Sequence, residues 1–252
     1  MRLEQRGRIS QPNGRTLDLP PPFRVVMLRE VGDAFVHACA NAAELGAGAL
    51  IFVGRFDLAE FAVVLEPDEP LVSTRRAFYA GMVALGAALA ASAPPEKPIA
   101  IEWPDAFRVD LGLVGGGRLG WPADAAEEAV PDWLVFGAAI RTVQLGGDQA
   151  GLHPLATALE AEGFGDFGAE QLAERFARHL MAVLDRWQES GFASVAAEYV
   201  SKLQPAKDVR YTIDARGDLS VECPGKRVEH RNLLRALSAP SWLDPATGGL
   251  RL

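Results

Sequence analysis

Apolar positions fall into short runs separated by polar, proline-rich or glycine-rich breaks. Residues 23–28, 49–53, 61–65, 99–101 and 133–140 are apolar runs of strand length. Between the second and third, residues 54–60 form a connection of hairpin length. Asp33 predicts the N-cap of a helix through about Leu45, which Gly46 and Gly48 end. After the break at Glu66-Pro67-Asp68-Glu69-Pro70, residues Leu71, Phe78, Met82, Leu85 and Leu89 recur at helical steps, predicting one long amphipathic helix that Pro94-Pro95 stops. A helix is expected over 153–162. A longer one is marked by Leu172, Phe176, Leu180, Val183 and Trp187, and Gly191 separates it from a short helix through Leu203. The last fifty residues change character. Residues 209–213 and 219–222 read as a hairpin across Arg216-Gly217-Asp218, and 233–237 as a short helix before a tail rich in proline and glycine. The expected organisation is an N-terminal arm over 1–22, a main domain over 23–203 and a small C-terminal module over 204–252.

The stretch 99–121 concentrates the chemistry. An apolar run stops at Glu102-Trp103-Pro104-Asp105, and a second leads into Gly115-Gly116-Gly117-Arg118-Leu119-Gly120. Pro104 lacks a backbone donor, so the first strand ends there or reaches an edge. The glycines allow a sharp turn, or a backbone lying directly against a ligand. Strand, polar corner, strand and glycine-rich corner together predict a pocket floor.

Composition narrows the function classes. The net charge of −8 over 252 residues argues against a non-specific grip on nucleic acid. No apolar run has the roughly 18 residues of a membrane span. The polar N-terminal stretch lacks a signal-peptide core, and two cysteines, Cys39 and Cys223, supply no disulfide framework, so a cytoplasmic setting is expected. Residues 115–120 satisfy G-x-G-x-x-G, but Trp121-Pro122 follows where a dinucleotide fold opens a helix, and Ile140 stands where its acid belongs. His37, His153, His179 and His230 are scattered without metal-ligand spacing. The acidic run at 66–69 reads as a solvated helix entry, and Arg75-Arg76 as a solvated face of the same helix.

Glu102-Trp103-Pro104-Asp105, then a strand, then Gly117-Arg118-Leu119-Gly120, resembles the signature of biotin–protein and lipoate–protein ligases. Residues 135–141 (Val-Phe-Gly-Ala-Ala-Ile-Arg) resemble the family's following strand, and 184–192 its late helix and Gly-Phe turn. The resemblance covers about 23–203, and the extra C-terminal module resembles that of some bacterial ligase-like proteins. It implies an α/β (α+β) fold with a mixed sheet flanked by helices. It also implies a two-step reaction in which biotin, lipoate or a medium-chain acyl carboxylate attacks ATP, with Mg²⁺, and passes to a lysine of a biotinyl or lipoyl carrier domain. The site residues it implies are Arg55, Trp103, Pro104, Asp105, Gly116, Gly117, Gly120, Gly137 and Arg141, with Arg118 nearest the family's catalytic lysine.

The chain departs from the family at the residues that matter most. Four lysines are present, Lys97, Lys202, Lys207 and Lys226, and none stands where the family has its own. The glycine- and arginine-rich loop is reduced to 54–60, with Arg55 as its cation. The motif's Asn is missing, and Gly32-Asp33 replaces the Ser-Thr of the first helix. Two readings stay open here. One is a divergent ligase or acyltransferase using Arg55, Arg118 and Arg141. The other is a degenerate scaffold that binds a small carboxylate, a nucleotide or a carrier domain without adenylation. Octanoyltransferases of this superfamily use a cysteine, but Cys39, among helical alanines, reads as a buried structural thiol.

Overall fold

The computed structural model describes residues 17–30, 32–144 and 155–251. The main sheet has seven strands: β1 (Arg24–Leu28), β2 (Ala49–Val53), β3 (Leu58–Leu65), β4 (Ile99–Glu102), β5 (Ala106–Val109), β6 (Gly112–Gly120) and β7 (Leu134–Arg141). Their order is β1-β2-β3-β7-β6-β5-β4, with β1 parallel to β2 and every other pair antiparallel. The centre is β3 against β7, paired over eight positions from Leu58↔Arg141 to Leu65↔Leu134. The expected mixed sheet flanked by helices is what the chain forms.

Alternation along the strands gives the sheet two different faces. One face carries Phe52, Phe61, Val63, Val114, Leu119, Phe136, Ala138 and Ile140 into the main core. It is covered by α3 (Ala77–Ala90), α4 (Ala169–Ser190) and α5 (Phe192–Ser201). Phe136 stacks on Phe176 of α4, with ring centroids 5.5 Å apart. On the opposite face, α1 (Ala34–Leu45) lies over β1, β2, β3 and β7. There Ala34, Ala38 and Ala42 pack on Ile51, Val53, Ala62, Val64 and Val135. Small residues on α1 let the helix sit close to the strands. Asp33 caps α1 as expected, its carboxylate accepting the Val36 N–H at 2.8 Å.

Several expectations need correction. The helix expected from Leu71 is broken into α2 (Leu71–Thr74) and α3, and α3 is buried almost all round rather than along one stripe. Arg75, at the break, is 5% exposed and not on a solvated face; both its terminal nitrogens donate to Glu127 at 2.7 Å. That acidic loop also returns backbone carbonyls of Glu127 and Ala129 to the first N–H groups of α2. Arg76 pairs with Glu69 and lies over the rings of Trp187 and Phe192. The second correction is that Gly115–Gly117 lie inside β6 and make no corner. The third is that 155–162 holds turns and no helix; His153 and its neighbours lie outside the described residues.

Past α5, β8 (Arg210–Ile213), β9 (Leu219–Glu222) and β10 (Glu229–Arg231) form a second antiparallel sheet, one strand more than the expected hairpin. It is followed by α6 (Leu233–Leu237). Leu219, Val221, Leu233 and Leu237 join the main core, and buried Tyr79 donates its hydroxyl to the Gly217 carbonyl at 2.6 Å. Among the described residues no helix is long and apolar enough to cross a membrane.

Candidate ligand site on the sheet

The face that α1 covers only in part is where the sequence places its pocket floor. Register aligns Ala106 of β5, Gly116 of β6, Ala139 of β7 and Glu60 of β3 in one row across the sheet. Small side chains make this row a flat shelf, with a carboxylate at one end. A bulge between β5 and β6 at Phe107/Arg108 positions the shelf, and Gly115 serves it with φ of 142°. A Cβ there would stand 2.0 Å from the Ala139 carbonyl oxygen, which only glycine avoids.

The next row holds Arg118 on β6, Gly137 on β7 and Ala62 on β3. Arg118 donates to Asp33 at 2.8 Å, and its guanidinium lies 4.3 Å from the Phe35 ring centroid. Gly120 and Gly137 lie under the start of α1, facing Cys39 and Phe35. At the helix entrance the Ala34 N–H donates to Glu60 at 2.8 Å. Burial outweighs that bond and pushes the Glu60 carboxyl above its usual value. Burial likewise raises the Cys39 thiol to about 11, against the pull of Arg118, which makes it a poor nucleophile.

The remaining arginines are also engaged. Arg55, in the turn between β2 and β3, forms a two-pronged ion pair with Asp57 at 3.1 and 2.7 Å. Because β3 begins at Leu58, that turn is shorter than the expected 54–60 connection. Arg141 donates to the Arg251 carbonyl at 3.3 Å, and burial lowers its pKa.

The Trp103-Pro104-Asp105 corner divides its residues between the two sides of the sheet. Trp103 turns toward the main core, its indole N–H reaching the Tyr79 hydroxyl at 3.3 Å. The Pro104 carbonyl accepts the Tyr199 hydroxyl at 2.6 Å. Asp105 is fully buried and accepts two hydrogen bonds from Ser241, from the N–H at 3.0 Å and from Oγ at 2.6 Å. Beside it, Trp242 lies fully buried on Gly116 and donates its indole N–H to the Gly117 carbonyl at 3.1 Å. The shelf is therefore covered by the chain's own C-terminal segment. An open cleft of about 200 Å³ lies elsewhere, between Glu102, Trp103, Leu203, Pro205, Tyr211 and Arg231. Trp103 is its one member among the expected site residues.

The model for the biotin/lipoate A/B protein ligase family matches residues 19–201. The chain belongs to that family. Among solved structures it is similar to a biotin protein ligase-like protein of unknown function from Silicibacter sp., at 28% identity and a TM-score of 0.73, covering 86% of this chain and 96% of that one. Biotin protein ligase from Aquifex aeolicus, in complex with biotin and ATP, is 14% identical with a TM-score of 0.60, covering 82% and 94%. The Leishmania major biotin protein ligase in complex with biotinyl-5-AMP is 18% identical with a TM-score of 0.51, covering 84% and 100%. The last two similarities concern the fold alone. Comparison with curated proteins finds no match.

Within this biotin/lipoate ligase fold, the expected residues divide into four groups, of which Trp103 and Pro104 turn toward the main core. Asp105, Gly116, Gly117 and Arg141 meet at the covered shelf. Arg118, Gly120 and Gly137 gather at the entrance of α1, and Arg55 keeps to its turn with Asp57. Sequence reasoning named Asp33 as the cap of α1 and did not find Glu60, Ser241 or Trp242. A lone tryptophan in a proline- and glycine-rich tail was the available signal for the last. As a cradle for the phosphates of ATP the described residues fit poorly. Arg55 and Arg118 are matched by carboxylates, and Arg141 by a backbone carbonyl.

Proposed function

We propose that this chain is a binding member of the biotin/lipoate ligase family that does not adenylate an acid. It holds a small molecule, of the carboxylate or nucleotide kind, on the α1 face of the sheet. The observation that carries this reading is that two of the three arginines at the corners where a ligase would meet carboxylate and phosphate are paired with carboxylates of the chain itself. Charge developing on a transferring phosphoryl group needs fixed positive groups aimed at it. Here Arg118 is spent on Asp33 and Arg55 on Asp57. The family lysine is replaced, and an arginine fork does not place its charge as an ammonium does.

The test is incubation of the full chain with ATP and Mg²⁺, separately with biotin, lipoate and octanoate, followed by mass spectrometry for acyl-adenylate. None is expected. An adenylate with any of the three acids would overturn the reading and establish a ligase. In parallel, a thermal-shift panel of the same compounds reads binding, since a ligand at 100 times its Kd adds about 2.7 kcal/mol.

A further inference from the structure

The buried shelf is a made-up site with an occupant already in it. Trp242 lies so close to the sheet that a Cβ on Gly116 would stand 2.3 Å from the indole. Its ring N–H is matched to the Gly117 carbonyl, and the Ser241 N–H and hydroxyl to Asp105. The apolar surroundings are Leu58, Ala106, Leu113 and Ala139, with Leu243 and Leu250 at the rim. This cluster is separate from the main core and from the cluster under α1. The segment holds itself together: Leu243 bridges Leu250, the Arg251 N–H reaches the Trp242 carbonyl at 2.9 Å, and the Arg251 Nε the Leu243 carbonyl at 2.9 Å. On the chain's path into it, α6 stays anchored in the main core through Leu233 and Leu237.

We propose that residues 239–251 are a displaceable internal ligand. They fill a site built for a flat heterocycle that carries an N–H donor, with a further donor group directed at Asp105. The inference rests on the reading that the α1 face of the sheet is the ligand-binding face. Three features set the chemistry of the occupant. The glycine and alanine shelf accepts a flat ring. The Gly117 carbonyl, free of a better partner once the indole leaves, requires a ring N–H. Asp105 requires donors, so an acid group on the ligand points away from it. The separate cluster allows the segment to lift as a unit about 238–240 without opening the main core, as locally cooperative units do. A ligand that binds the open form gains access only by displacing Trp242, so its apparent affinity falls by the fraction of molecules that are open.

Two measurements on the full chain test this. In the first, Trp242→Gly is melted with indole and with benzothiophene, a ring of the same shape without the N–H. Indole is expected to restore stability, as small rings fill engineered apolar cavities, and benzothiophene is expected to restore less. Equal rescue by the two rings, or none by either in a folded variant, would overturn the proposed ligand chemistry. The second measurement needs no variant and decides if Trp242→Gly fails to fold. It is hydrogen exchange of the wild-type Trp242 indole N–H and the Ser241, Gly248 and Arg251 amides. They are expected to exchange together, on the order of 100-fold faster than the β3 and β7 amides. Exchange at the rate of β3 and β7 would make the segment a fixed wall and sink the proposal. Neither measurement involves ATP, so an adenylate signal would refute the non-adenylating reading without touching this one.

Discussion

Asp105 offers a direct measurement of what the C-terminal segment's contact costs. Its side chain is fully buried beneath Ser241, and burial pushes its carboxyl from 3.8 up to about 6, although both Ser241 hydrogen bonds favour the ionised form. Between these two values the folded protein holds a proton that the unfolded chain releases. Stability therefore falls as pH rises from about 4 to about 6, then stays level, as far as this group is concerned. A difference of about two pKa units corresponds to about 3 kcal/mol. Asp105→Asn removes the titration and keeps the shape: its carbonyl can accept the Ser241 N–H and its amide can donate to Oγ. Urea unfolding of wild type and variant, at fixed pH values from 4 to 8, isolates the effect because every other titrating group is common to both. The variant is expected to gain on the wild type by up to about 3 kcal/mol between pH 4 and pH 7. A difference that stays flat with pH would refute the raised pKa. One that runs the other way would mean that Asp105 works as a stabilising ion, the behaviour expected of Asp57 beside Arg55.

Two further outcomes follow from the entrance of α1. Arg118→Ala breaks an ion pair with half-exposed Asp33 and a contact with Phe35, so the ligand-free protein should lose only about 1 kcal/mol in urea unfolding. Any ligand-induced thermal shift should vanish; an unchanged shift would move the ligand away from this entrance. Cys39, with its thiol raised to about 11, should resist iodoacetamide at pH 8 and label progressively as pH approaches that value, read by peptide mass mapping. Rapid labelling at pH 7 would show an activated thiol and revive a thioester role.

What was legible in the sequence follows the range over which each interaction acts. Asp33 as a cap, the strands at 49–53 and 99–101, and the long helix through Leu172 and Phe176 rest on neighbours a few residues apart, and they form as expected. The glycines of β6 misled because a glycine run normally signals a turn. Here the strand passes between β5 and β7, and its glycines make room for what packs on it. Arg75 read as solvated because its partner, Glu127, lies 52 positions away; Arg118 and Asp33 are 85 apart, and Trp242 and Gly117 125 apart. None of these pairings leaves a local trace. The consequence for function is specific. Read locally, Trp103-Pro104-Asp105 and the glycine run describe a pocket with a missing lysine. In the folded chain the same residues describe a pocket whose charges have been answered from within, by Asp33, Asp57 and the segment carrying Ser241 and Trp242. Arg118 is matched by Asp33 and Asp105 by Ser241, although burial still disfavours the charged form of Asp105. Ser241 reaches Asp105 from 136 positions away, which is what the displaceable segment proposed above requires.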